Sequence, residues 1–237
     1  MNGHLYGIGV GPGDPELMTV KAVRILHQVD LVLAAASTKN EESLALEIAR
    51  PHLRPDTPVI RLGFPMSRNP DVLSQAWRDN AWKVLSELRA GRNAAFLTLG
   101  DPLLYSTFAY LLRTVRQLDP EQPVTVVPGI TSFQAAAAAT ETVLAESSQN
   151  LLILPGIREA HTLRDHLEQV DNAVILKAYT NFSAIRAELR ATPTDKHCVF
   201  ASRLGMADQF ITRNLECAPE DPTYLSLLLL TAGHPNP

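Results

Sequence analysis

The chain reads as an α/β protein built from two α/β domains, and three observations predict it. Short apolar runs alternate with amphipathic helical patterns through the first half, the sequence form of a parallel sheet covered on both faces. A proline-flanked polar stretch, Leu118-Asp119-Pro120-Glu121-Gln122-Pro123, then separates two apolar segments as a stiff connection would. Near the end, three strand-like runs follow one another with no helix between them, which favours a mixed sheet in the second half. The expected domains are therefore 1–120 and 123–237.

Leu5 to Val10 is predicted as a strand, and Thr19 to Gln28 as a helix with Val20, Val23 and Leu26 recurring on one face. Asp30 to Ala34 is the next strand, Ser43 to Arg50 a helix and Pro58 to Leu62 a strand. Asp71 to Ala90 is a long amphipathic helix ended by Gly91, Ala94 to Leu99 a strand and Tyr105 to Gln117 a helix. Past the connection come a strand at Val124 to Val127 and an alanine-rich helix at Ser132 to Thr140. Strands at Leu151 to Leu154 and Val174 to Leu176 alternate with helices at about Ala160 to Val170 and Phe182 to Arg190. Cys198 to Arg203, Gln209 to Thr212 and Tyr224 to Leu230 are the closing strands.

Composition narrows the function classes. The 237 residues are 46% hydrophobic and 19% charged, with 21 basic against 25 acidic side chains and a net charge of −4. That balance leaves no linear footprint for nucleic acid or an anionic membrane. The run from Leu225 to Ala232, broken by Ser226 and Thr231, is far below the roughly 20 residues of a membrane span. No leader pattern opens the chain, so a cytoplasmic location is expected. Cys198 and Cys217 form no C-x-x-C, and His161 and His166 stand five apart, not at the four-residue spacing of paired helical ligands, so no metal site is expected. No G-x-S-x-G elbow occurs, which speaks against an α/β-hydrolase.

The chemistry concentrates in three loops at predicted strand ends. The first follows a strand in which Gly7, Gly9, Gly11 and Gly13 occupy every second position, and it reads as a backbone that a ligand approaches closely. It is not a dinucleotide fingerprint, since Pro12 and Asp14 stand where third glycines belong, and Pro12 removes an amide a phosphate cradle would use. An uncharged or cationic small molecule fits better. The second loop is Thr98 to Thr107 with Gly100-Asp101-Pro102, and the third is Val127 to Phe133 with Pro128-Gly129. In a parallel sheet all three would meet at one edge, where ligands of such sheets sit. Asp101 suits a nearby sulfonium or α-amino group by charge, and equally suits a helix N-cap ahead of Pro102.

Gly-Val-Gly-Pro-Gly-Asp-Pro at 9–15, Gly-Asp-Pro at 100–102 and Val-Pro-Gly-Ile-Thr-Ser at 127–132 resemble the tetrapyrrole methylases, which use S-adenosylmethionine. Leu62 to Met66, Tyr105-Ser106-Thr107-Phe108 and Tyr224 to Leu227 are similar to the branch that methylates C-20 of precorrin-2 or cobalt-precorrin-2. The Tyr-Ser-Thr segment leans toward the cobalt form. The resemblance implies a cobalamin-pathway enzyme and a homodimer, with the methyl donor folded in a cleft between the domains and the tetrapyrrole in a trough above it.

By motif position, the donor would touch Pro12, Leu99, Gly100, Asp101, Leu104, Thr131 and Ser132, with Lys177 and Leu204 as further matches. Asp101 and Tyr105 are the candidate bases for the proton lost at the methylated carbon. Lys39, Arg61, Arg68, Arg113, Lys177 and Arg203 are candidates for the eight substrate carboxylates. Ala34-Ala35-Ala36, where the family usually has a proline, and Gln209, where it has a glutamate, depart from the pattern. Two alternatives stand beside this reading. One is a sibling methylase acting at another ring position or on a non-tetrapyrrole target such as a modified histidine or rRNA, and the other is a non-catalytic donor-binding scaffold.

Overall fold

The computed structural model describes residues 2–36, 43–65, 67, 69–157, 159, 161–191 and 196–232. The chain forms two compact units, Met1–Thr131 and Ser132–Pro237.

The first unit is a five-stranded sheet of β1 (Leu5–Gly9), β2 (Leu31–Ala36), β3 (Val59–Gly63), β4 (Ala94–Thr98) and β5 (Val124–Val127). The strand order is β3-β2-β4-β1-β5, and every neighbouring pair is parallel. Apolar residues on both sides of β2 and β4 demand cover on both faces, and four helices supply it: α1 (Val20–Leu26), α2 (Leu44–Ala49), α3 (Pro70–Arg89) and α4 (Phe108–Leu118). Ile8, Val32 and Leu97 pack on one face against Ile25 and Leu26 of α1 and Leu46 and Ile48 of α2. Leu5, Leu33 and Phe96 pack on the other against Val84, Leu85 and Leu88 of α3 and Phe108, Leu111 and Val115 of α4. Residues of β4 alternate between the two cores, and all five are buried.

Three expectations change here. The sequence placed the division at 118–123, whereas β5 pairs with β1, Leu5 opposite Val124, so the connection lies inside the first unit. It is also pinned: Arg116 Nη1 donates to the Pro120 and Gln122 carbonyls at 2.9 and 2.6 Å, and the buried Gln122 amide donates to Gly3 O at 2.7 Å. Helix α4 begins at Phe108 and not at Tyr105, because Tyr105 sits at φ 50° and the Ser106 hydroxyl accepts from Phe108 N at 3.0 Å, closing a turn before the helix. In α1 the buried stripe is Ala22, Ile25 and Leu26, and Val20 is 86% exposed.

The second unit holds β6 (Leu151–Leu154), β7 (Asn172–Leu176), β8 (His197–Ser202), β9 (Phe210–Thr212) and β10 (Ser226–Thr231) in the order β6-β7-β10-β8-β9. β6 and β7 are parallel and the remaining pairs antiparallel, so the sheet is mixed, as the helix-free ending of the sequence implied. Helices α5 (Ser132–Thr140), α6 (Thr162–Glu168) and α7 (Phe182–Ala191) complete it, the core joining Leu163, Ile175, Phe182, Ile185, Phe200 and Leu228. Cys198 is partly buried, which pushes its thiol up to about 12, and Cys217 is exposed. Among the described residues no helix is long and apolar enough to cross a membrane.

Candidate functional site

Because β4, β1 and β5 are adjacent and parallel, the chain leaves all three at one edge of the sheet, and the three loops become neighbours. The first two are joined by backbone. Val10 N donates to Thr98 O at 2.9 Å and Gly100 N to Gly11 O at 2.7 Å, with Gly11 and Gly100 at φ 82° and 67°. The third loop lies directly on them. A Cβ at Gly9 would stand 2.6 Å from Gly100 O and from Gly129 Cα, and one at Gly129 only 2.1 Å from Gly100 O. Gly7 is likewise pressed by Phe108, whose ring atoms lie 2.3 Å from where a Cβ would be. Gly7 and Gly9 therefore serve contact between protein segments inside β1, a correction to their reading as ligand-approach glycines.

Asp101 ties the assembly together. Its Oδ1 accepts from Leu103 N at 2.8 Å and its Oδ2 from Gly129 N at 3.1 Å, one bond turning its own loop and the other holding the third loop. It is not the N-cap of α4, which starts seven residues later. Asp14 caps a short turn instead, its Oδ1 accepting from Glu16 N at 2.8 Å.

The other predicted contacts of this unit fall on the same edge. Pro12 is buried, Leu99, Gly100, Leu104 and Thr131 are half-buried, and Tyr105 is 50% exposed. Leu99 packs toward the core of α1 and α2. The arrangement gives a rim of backbone and apolar side chains around one carboxylate, with a proline where a phosphate site would need an amide. It suits a cationic organic ligand. Sequence reasoning passed over Thr98, the last residue of β4, which is buried and whose hydroxyl meets no hydrogen-bond partner in the described structure. A threonine at a strand end gives no sequence signal of that.

In the second unit, β7 and β8 flank β10 and run antiparallel to it, with Leu176 opposite Leu227 and Ser202 opposite Ser226. The segments after β7 and β8 therefore meet the start of β10 at one edge. Lys177, Arg203 and the buried Leu204 all lie there, and Ser132 opens α5, half-buried. Lys177 and Arg203 hold φ 52° and 51°, a left-handed backbone that costs a non-glycine residue on the order of 1 kcal/mol. Arg203 N donates to Leu225 O at 2.9 Å and Tyr179 N to Ser226 Oγ at 3.1 Å, fixing both turns. Tyr179 and Tyr224, both well exposed, face each other here with ring centroids 5.5 Å apart.

Of the proposed substrate cations, Arg61 and Arg113 lie on different elements of the first unit. Lys39 and Arg68 lie outside the described residues. Arg61 is exposed on β3, at the far side of the sheet from β5. Arg113 sits in the second turn of α4, its guanidinium 5.0 Å over the Tyr110 ring, and Tyr110 is stacked on Trp77 at 4.6 Å. Arg203 is bound to Asp208, whose carboxyl it holds below the ordinary carboxylate range.

The sequence matches the family described as Tetrapyrrole (Corrin/Porphyrin) Methylases over residues 4–217. It is 39% identical over 189 residues to the cobalt-precorrin-2 C(20)-methyltransferase of Salmonella typhimurium, covering 80% of this chain and 78% of that protein. To the precorrin-2 C(20)-methyltransferase of a Sinorhizobium species it is 32% identical over 244 residues, 99% of this chain and 98% of that one. Some other relatives are longer proteins, of which the chain spans 46%. The uroporphyrin-III C-methyl transferase of Thermus thermophilus, solved in complex with S-adenyl homocysteine, superposes with a TM-score of 0.66 at 23% identity, covering 97% of each chain. The chain belongs to the tetrapyrrole (corrin/porphyrin) methylases.

Proposed function

We propose that the protein methylates C-20 of precorrin-2 or cobalt-precorrin-2 with S-adenosylmethionine, within cobalamin biosynthesis. The choice of substrate rests on the two C(20)-methyltransferases similar to it along most of their length. The observation that carries the site is the clasp of Asp101, which holds the Gly100 and Gly129 loops against Gly11 at one sheet edge. A donor bound there would supply a methyl group on a sulfonium.

The chain's own part is positioning. The backbone of Leu99 to Asp101, with Thr131, would hold the donor, and Pro12, Leu99 and Leu104 would keep water from it, so that proximity supplies most of the rate. The Asp101 carboxylate favours a nearby positive charge while its two oxygens keep the loops in register. Asp101 is then a positioning residue, and Tyr105 is the proposed group at the proton lost from the methylated carbon. Ser132, Lys177 and Leu204 are the proposed donor contacts of the second unit, and Arg61, Arg113 and Arg203, with Lys39 and Arg68, the proposed holders of substrate carboxylates.

The test is turnover. Purified protein with S-adenosylmethionine and, in parallel anaerobic reactions, precorrin-2 or cobalt-precorrin-2 should give a product one methyl heavier, with the new carbon at C-20 by NMR. Donor binding with no transfer to either substrate would overturn the assignment. A cytoplasmic homodimer is part of the same proposal, and light scattering should return about twice the 25.9 kDa of the chain.

A further inference from the structure

Gly63 is a glycine that the fold does not require. It closes β3 opposite Ala36 of β2, and its φ lies outside the left-handed range that favours glycine. A Cβ there would meet no described atom within 4 Å, whereas one at Gly9 would stand 2.6 Å from Gly100 O. Glycine in a strand costs entropy and packs nothing, so alanine or valine would serve the fold better. Close approach of a second backbone along the free edge of β3 is not the reason either. Phe64 N donates to Ala36 O at 3.1 Å, so across the trans peptide the Gly63 carbonyl points away from β2. Helix α3 takes it: Asn80 Nδ2 donates to Gly63 O at 2.8 Å, and Lys83 Nζ to Arg61 O at 3.2 Å. Asn80 is buried, a polar residue on the packed face of its helix, and it holds the end of β3 in place while the space over Gly63 stays open.

Leu62 packs toward α3 and α4, so Arg61 and Gly63 look out from the opposite face of β3, and both are exposed. Two residues along a strand, they stand about 7 Å apart. The Arg61 guanidinium forms no ion pair among the described residues. Ala34 of β2 pairs with both Arg61 and Leu97, so Gly63 lies level with the start of the Gly100-Asp101 loop, at the same edge of the parallel sheet. The two are separated by two strand spacings, about 10 Å. A macrocycle of four pyrrole-derived rings with carboxylates on its rim spans such a distance, and a guanidinium takes a carboxylate by two parallel hydrogen bonds. We propose that the rim of the tetrapyrrole passes over Gly63, where any side chain would lift it, and that Arg61 takes one of its carboxylates. Gly63 is then a residue of substrate fit, and the end of β3 is part of the substrate site.

The inference rests on the methyl-transfer reading, and Gly63→Ala, Gly63→Val and Arg61→Gln in the full chain test it. Gly63→Ala should melt about 1–4 °C above the parent, since the strand gains a residue it can hold without strain. Affinity for S-adenosylhomocysteine by calorimetry should stay at the parent value in all three. Affinity for cobalt-precorrin-2, read anaerobically from the absorbance of the ring, should fall by about tenfold in Gly63→Val and by less in Gly63→Ala. Arg61→Gln should lose about tenfold as well. Gly63→Val combined with Arg61→Gln should lose less than the product of the two, because a lifted ring no longer reaches the guanidinium. Unchanged ring affinity in Gly63→Val, at whatever melting temperature, would overturn the proposal. So would a change of mass in light scattering at unchanged ring affinity, which would give the open space to a second copy of the chain. If the parent binds the ring and transfers no methyl to it, the methyl-transfer reading falls, while the same affinities still decide the role of Gly63.

Discussion

At Gly100 and Gly129 the same substitution should fail for different reasons. Gly100 holds a positive φ but has open space, the nearest atom to an added Cβ being Ile130 O at 3.9 Å. Gly100→Ala should therefore cost about 1–2 kcal/mol, the penalty of a left-handed alanine. Gly129 has the space problem instead, because its Cβ would sit 2.1 Å from Gly100 O, an atom of the backbone. Gly129→Ala should cost more in chemical denaturation and abolish donor binding, since only loop separation relieves the clash. Asp101→Asn replaces one acceptor oxygen by an NH2 facing a backbone N–H, so one of the two clasp bonds is lost. A stability loss of about 1–3 kcal/mol and a weaker donor affinity are expected; unchanged affinity in calorimetry would contradict the positioning role. His4 offers a pH signature. Its ring stacks on Tyr6 and its Nε2 lies 2.8 Å from Thr125 Oγ1, and burial lowers its pKa from the ordinary 6.5. The unfolded chain then binds more protons than the folded one below about that value. This part of the stability is present above pH 6.5 and is lost as pH falls through the folded pKa, and His4→Gln should flatten denaturation midpoints across that range.

Elements were legible where their pattern was dense. The strand at Ala94 to Leu99 and the long helix ended by Gly91 stand within one residue of their observed bounds, because each is marked by an unbroken apolar run or a full amphipathic period with a stop. The start of α4 was not legible. Tyr105-Ser106-Thr107 carries no breaker, and the turn comes from a positive φ and a hydroxyl–amide bond that only the packed loop selects. Asp101 is legible in the sequence as a candidate position but not as a clasp, since Gly129 N is 28 residues away in sequence. The glycine alternation is visible in the sequence but its cause is not, because nothing local says that Phe108 and Gly129 come to lie on it. Arg113 was a candidate by charge alone, while the structure seats it over Tyr110, whose ring stacks on Trp77 of α3. If packing is its main work, Arg113→Ala should lower stability by about 0.5–1 kcal/mol with KM for the tetrapyrrole unaltered. A raised KM with full stability would restore the substrate role.

For the molecule as a whole, the fold class could be read from the order of apolar runs, whereas the division between units could not. Prolines mark a stiff connection equally well when it is pinned inside a unit, and the pairing of β5 with β1 is a long-range choice that the 118–123 stretch does not encode. The same pairing governs how the chain is made. β1 lies between β4 and β5, and its first residue, Leu5, finds its partners at Ala94 and Val124. At about 5–20 residues per second, the nascent chain carries that apolar strand for roughly 6–24 s before its second neighbour exists. During synthesis this strand thus has one side unpaired and in need of shelter, and a chain broken off before residue 124 would keep that side open to other copies.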